Sequence, residues 1–259
     1  MRKEFRNADG KVEYCDEVVE SMWDHIKIRQ GSLWGVVDED YKEILPCIYE
    51  EVVVFPQGRM GAKQKEKWGL FDAKGIQIAP CIYDDMGIIY DDVFDGVGYI
   101  RVKLNGKWGL YEGDEEIVPC KYDSINAWLG RIYIEKEGKW GLANERGEQI
   151  IPCEYDDVNG EFYGDYVCVE LGGKKGLVHE DGEMVLPCKY DYIEMQPDEY
   201  IVVCLGGKWG IVNEEGDEVV PCIYDSVVKV EEYPEEGYAE FEIDGKICRI
   251  YDKGEMYWD

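Results

Sequence analysis

The chain has 259 residues, 45% of them hydrophobic, enough to bury a sizeable core and to exclude wholesale disorder. Its 57 acidic against 28 basic side chains give a net charge of −29, which argues against nucleic-acid binding, because affinity there comes from neutralising phosphates. No apolar run is long enough to span a bilayer and the opening MRKEFRNADG lacks the apolar stretch of a secretion signal, so a cytoplasmic protein away from membranes is expected, its ten cysteines reduced.

In chain order, residues 1–21 read as a cut-down opening unit, with Asp9-Gly10-Lys11-Val12 and Tyr14-Cys15-Asp16. Six fuller units follow, at about 22–54, 55–86, 87–125, 126–158, 159–194 and 195–230. Each opens with alternating apolar residues: Ile26 and Ile28, Met60 and Ala62, Ile100 and Val102, Ile132 and Ile134, Val167 and Val169, Ile201 and Val203. That alternation is a half-buried strand. Pairs such as Asn105-Gly106, Glu137-Gly138, Gly172-Gly173 and Gly206-Gly207 then predict tight hairpins with positive φ. A second strand carries LWGV (Leu33–Val36), KWGL (Lys67–Leu70, Lys107–Leu110, Lys139–Leu142) or KWGI (Lys208–Ile211), with Lys175 replacing the tryptophan in the fifth unit. After a Gly-bearing turn comes a strand ending in PCxY, at Pro46–Tyr49, Pro80–Tyr83, Pro119–Tyr122, Pro152–Tyr155, Pro187–Tyr190 and Pro221–Tyr224. An acid follows each tyrosine: Glu50, Asp84, Asp123, Asp156, Asp191 and Asp225. Residues 231–259 read as a closing partial unit, with Ile247-Cys248 where the others carry Trp-Gly.

The tryptophan positions lie 34, 40, 32, 35 and 34 residues apart, the signature of a repeat architecture. No segment has helical periodicity. The expected fold is all-β: tandem repeats of about 34 residues, short β-meander or hairpin units stacked as an open solenoid-like array, with a closed β-propeller as the alternative. The units GKWGL, a turn, then a strand ending in P-x-x-Y-D resemble the WG-repeat (KWG-repeat) family over about residues 22–228. The resemblance implies repeat identity and carries no particular activity. On physical grounds the recurring residues read as structural. The indoles at 34, 68, 108, 140 and 209 are expected to be buried against the next unit, and the neighbouring glycine to admit close backbone approach. The cysteine serves as a small hydrophobe, and the acid accepts hydrogen bonds from backbone N–H groups in a turn.

Catalytic and cofactor signals are missing. There is no Gly-rich phosphate loop, nucleophile elbow or HExxH, so no enzymatic activity and no cofactor are expected. The PCxY cysteines recur once per unit instead of in the short spacings zinc needs, and Asp91, Asp92 and Asp95 of YDDVFDG lack EF-hand spacing, so no metal site is expected. The variation lies in the connections after each Tyr-acid pair: FPQG (55–58), GIIYDDVFDGVG (87–98), NAWLG (126–130), NGEFYGD (159–165), MQPDEY (195–200) and VEEYPEEG (230–237). Repeat insertions gather on one face, often the binding face. Tyr90, Asp91, Asp92, Phe94, Asp95, Trp128, Phe162, Tyr163 and Tyr233 are therefore the candidate contacts. Residues 1–130 hold 16 basic and 25 acidic side chains and residues 131–259 hold 12 and 32, so the C-terminal half would attract a basic partner. The expectation is a non-catalytic scaffold for a basic protein partner, in the manner of an inhibitor or immunity protein. The alternative is carbohydrate or cell-wall binding through exposed loop aromatics.

Overall fold

A computed structural model describes residues 3–20, 23–90, 98–128, 130–163, 165–195, 200–231, 238–251 and 256–258. A hairpin of Lys3–Arg6 and Val12–Cys15 precedes seven four-stranded antiparallel sheets, spanning 17–49, 51–83, 85–122, 124–155, 157–190, 192–224 and 226–258. In each sheet the strands lie side by side in chain order, an open meander. The third sheet, for example, consists of Asp85–Tyr90, Gly98–Leu104, Lys107–Glu112 and Glu115–Tyr122. Among the described residues there is no α-helix, only a 3-10 turn at Pro56–Gly58.

The sequence predicts three strands per unit, and the structure has four. The extra strand is the first arm of the variable connection, such as Ser124–Trp128, which pairs in register with Arg131–Lys136. Without it the alternating apolar strand would leave a row of backbone N–H and C=O groups unpaired. Residues 226–258, whose sequence departs most from the repeat, also form a complete four-stranded sheet.

The Trp-Gly and Pro-Cys motifs meet across the third and fourth strands. Trp108 lies opposite Tyr122 and Leu110 opposite Val118, so Gly109 faces the three residues of a bulge containing Pro119 and Cys120. A Cβ on Gly109 would lie 2.7 Å from the Val118 carbonyl oxygen and 2.8 Å from the Cys120 amide nitrogen. The same crowding recurs at Gly35, Gly69, Gly141, Gly176 and Gly210. Proline suits the bulge because it has no N–H to lose. The bare glycine lets the thiol reach across its strand: Cys120 Sγ donates to the Val102 carbonyl at 3.6 Å and Cys81 Sγ to the Ala62 carbonyl at 3.8 Å.

The chain divides into two compact parts, Met1–Glu137 with Ala143–Gln149, and Gly138–Leu142 with Ile150–Asp259. In the first part the N-terminal hairpin caps the first sheet through Phe5 and Cys15 on Ile28 and Val37. Val36, Leu45 and Tyr49 of that sheet cluster with Val52, Met60, Ala62 and Phe71 of the second. Trp68, Leu70 and Tyr83 in turn cluster with Ile100, Val102 and Tyr111 of the third. The second part repeats the scheme, with Leu177, Leu186 and Tyr190 on Ile193, Ile201 and Val203, then Ile211, Val220 and Tyr224 on Ala239 and Phe241. The second and sixth sheets thus bury one apolar face on the predecessor and the other on the successor, as stacked repeats require. In the seventh sheet the outward face changes character. The positions of Val202 and Ile211 are taken by Glu240 and Arg249, paired at 2.7 Å.

The acid after each PCxY joins consecutive sheets. One oxygen of Asp123 is paired with the Lys107 ammonium of its own sheet, and the other accepts the backbone N–H of Glu137 in the next hairpin at 2.8 Å. Asp156 does the same with Lys139 and Gly172, Asp191 with Lys174 and Gly206, and Asp225 with Lys208 and Asp244. Behind the carboxylate, the Asp123 N–H donates to the Glu135 carbonyl. A second close approach occurs at the other turn, where Gly75, Gly147, Gly182 and Gly216 lie against carbonyls of Ile44, Ile117, Ile150 and Val185 in the preceding sheet.

Candidate interaction surface

Of the nine candidate contacts, Asp91, Asp92, Phe94, Asp95 and Tyr233 lie outside the described residues. Tyr90, Trp128, Phe162 and Tyr163 sit on strands, at the outer ends of the first arms of their connections. Tyr90 pairs with Gly98, Trp128 with Arg131, Phe162 with Val167 and Tyr163 with Tyr166. They therefore occupy equivalent places in the third, fourth and fifth sheets, beside the turn joining first and second strands. The indole of Trp128 is 42% exposed there.

The repeated tryptophans are less buried than the sequence suggests. Trp68 is buried, but Trp34, Trp108, Trp140 and Trp209 are half-buried. The cause is their place at the start of the third strand, beside the hairpin, where the sheet edge is reached by solvent and by long side chains of the second strand. Lys27 and Arg29 lie over the Trp34 ring, Lys63 over Trp68, and Arg101 and Lys103 over Trp108, with cation-to-centroid distances of 4.8–5.7 Å. These contacts shield the ring face with long, half-buried cationic side chains. Trp209 differs. It meets Tyr192 at 5.4 Å between centroids and lines a groove of about 280 Å³ with Glu194, Val202 and Val227–Val230.

Electrostatics divide the repeated groups into two sets. The Lys107 ammonium beside Asp123 holds its carboxyl below the usual carboxylate range, and Lys67, Lys139, Lys174 and Lys208 do the same for Asp84, Asp156, Asp191 and Asp225. Burial pushes the PCxY thiols the other way, Cys47 up to about 12 and Cys120 up to about 11, with Cys81, Cys188 and Cys222 also raised. All ten cysteines are free thiols.

Two features carried no signal in the sequence. His25 is the one buried polar or charged side chain among the described residues, and its Nε2 lies 3.0 Å from the Ala73 carbonyl of the second sheet. A groove of about 310 Å³ between the N-terminal hairpin and the first sheet is walled by Asp9, Glu13 and Glu43, and burial raises the Glu43 carboxyl. Among the described residues no three His, Cys, Asp or Glu side chains are grouped to hold a metal. Among the described residues no helix is long and apolar enough to cross a membrane.

A family model described as WG containing repeat matches residues 34–68, 68–108, 113–140, 140–174, 176–209 and 209–246. No protein of curated function matches the chain. Among solved structures, a eukaryotic initiation factor is similar at TM-score 0.35 and 9% identity, covering 99% of this chain and 94% of that one. Hsv2 from Kluyveromyces lactis is similar at TM-score 0.29 and 10% identity, covering 100% and 90%. PorZ from Porphyromonas gingivalis, a component of the type-IX secretion system, is similar at TM-score 0.28 and 10% identity, covering 95% and 39%. Likenesses this distant carry no argument about function.

Proposed function

The chain belongs to the WG-containing repeat family, and from that premise we propose that it is a non-catalytic scaffold whose non-repeating side chains bind a basic protein partner, in the manner of an inhibitor or immunity protein. The observation that carries this reading is the division of labour among residues. The repeated Trp, Gly, Cys, Tyr, Lys and Asp are spent on bulges, stacking and the joints between sheets. Tyr90, Trp128, Phe162 and Tyr163 stand at equivalent strand ends of the third, fourth and fifth sheets, where Trp128 is exposed. An exposed aromatic such as Trp128 is a usual anchor of an interface. The charge of residues 131–259, 12 basic against 32 acidic, favours a basic partner and speeds its arrival. Ten free thiols, seven of them with pKa values raised by burial, suit a reducing cytoplasm.

The test is affinity capture from the native cell extract, with identification of what is retained. Its comparison is the variant Tyr90→Ser, Trp128→Ser, Phe162→Ser, Tyr163→Ser. The expected result is retention of a basic protein by the native chain, lost in the variant while the thermal midpoint stays nearly unchanged. An acidic partner, or a collapsed midpoint with capture intact, would overturn the proposal.

A further inference from the structure

We infer that the groove beside Trp209 receives a lysine or arginine side chain of the partner, completing a cation–aromatic contact that the N-terminal sheets complete from within. The inference rests on the basic-partner reading and gives it a location.

The third and sixth sheets correspond position by position. In the third, Lys103 lies directly opposite Trp108 and Arg101 opposite Leu110, and both cations cover the ring, at 5.1 and 4.8 Å. Gly87 in the first strand faces Arg101, and a Cβ there would lie 3.3 Å from the Arg101 Nε, so the glycine makes room for the guanidinium. In the sixth sheet Cys204 lies opposite Trp209, Val202 opposite Ile211, and Glu194 opposite Val202. Both cations are thus replaced by short uncharged side chains, and the space-making glycine by a carboxylate. Among the described residues no lysine or arginine lies over Trp209. What remains is a groove of about 280 Å³, roomy enough for one long side chain, with Trp209 as the wall no cation covers and, beside it, Tyr192, whose ring already has the Lys175 ammonium 5.7 Å from its centroid. Glu194 stands at its rim, its carboxylate accepting the Tyr192 hydroxyl at 3.1 Å. Val228, 47% exposed, extends the apolar floor along which an aliphatic stem could lie. Lys229 also lines the groove, with its ammonium 5.9 Å from the centroid of the Tyr238 ring of the seventh sheet. An aromatic corner beside a carboxylate is what a cationic side chain seeks when it leaves water.

A hexalysine peptide at physiological salt is the probe, with affinity read by calorimetry and the Trp209 indole N–H followed by NMR. Three variants separate the causes. Trp209→Leu removes the wall, Cys204→Lys restores the internal cation of the third sheet, and Val219→Lys makes the same charge change away from the groove. The expected result is a shifted Trp209 resonance, with affinity reduced roughly fivefold to thirtyfold by Trp209→Leu and by Cys204→Lys, the range of a partly desolvated cation–π contact. Val219→Lys should change affinity less than twofold. If Trp209→Leu does not fold, Cys204→Lys and the indole resonance of the native chain still decide. Equal affinity in all three variants with hexalysine bound would overturn the groove and leave the basic-partner reading standing. No hexalysine binding by the native chain would overturn both.

Discussion

Gly109 has no room for a methyl group, because two backbone atoms of the Pro-Cys bulge stand within 2.8 Å of where its Cβ would be. Neither can retreat without breaking the third-to-fourth strand pairing. Gly109→Ala should therefore cost about 1–3 kcal/mol or more, as overpacking of a tight site does, measurable by urea unfolding. Gly106→Ala, where a Cβ would meet nothing within 4 Å, should cost only the strain of its positive φ. Equal losses at the two sites would refute the bulge as the reason for the motif. The cysteine is the other half of this contact. Cys120, held up to about 11 by burial, should react slowly with a disulfide reagent at pH 8, where all ten thiols of the denatured chain react at once. Rapid native labelling of the PCxY thiols would contradict the packing described. The glycine and cysteine were legible in the sequence as structural residues. The tryptophans were legible only in part, because periodicity places an indole on a face without saying how near the sheet's edge it falls. Trp108 is shielded by Arg101 and Lys103 where core burial was expected.

At the scale of the strand and hairpin, the acid after PCxY serves two sheets. The sequence showed a carboxylate poised for turn amides, but not that the turn belongs to the following sheet; Asp123 and Glu137 are brought together only by stacking. The first strand of each sheet was missed for a related reason. Segments such as Ser124–Trp128 are short, share no motif and differ in composition, so only the unpaired edge beside them announces a strand. The joint makes a prediction about pH. Asp84, Asp123, Asp156, Asp191 and Asp225 have depressed pKa values in the fold, so their contribution is complete above the ordinary aspartate value of about 3.9 and is lost as pH falls below it. The thiols are raised, so theirs is complete below the ordinary cysteine value of about 8.5 and is lost as pH rises toward 11 and 12. The thermal midpoint should hold a plateau between roughly pH 5 and 8 and fall on both sides. Asp123→Asn, which keeps an acceptor for the Glu137 amide, should lower the midpoint less than Asp123→Ala. A midpoint rising steadily down to pH 3 would show that the carboxylates add nothing.

For the molecule as a whole, stacking turns seven sheets, none able to bury both of its faces alone, into a continuous series of cores in each compact part. The all-β repeat could be read from spacing because each unit must satisfy the same geometry: alternation for the strand, positive φ at the hairpin, a bulge at the glycine. The proposed recognition could be read only as a tendency. Charge asymmetry and non-repeating aromatics marked where to look, while the Trp209 groove is visible only once Cys204, Val202 and Glu194 share one face with it. The repeated residues join sheet to sheet, which under the proposed function leaves the non-repeating ones for binding. Amide hydrogen exchange in Asp191→Ala tests it most directly, read at Gly206, whose N–H donates to Asp191, and at Gly172, whose N–H donates to the untouched Asp156. The account predicts exchange about tenfold faster at Gly206, one hydrogen bond's worth, with Gly172 unchanged. Unaltered exchange at Gly206, or equal acceleration at both, would contradict it.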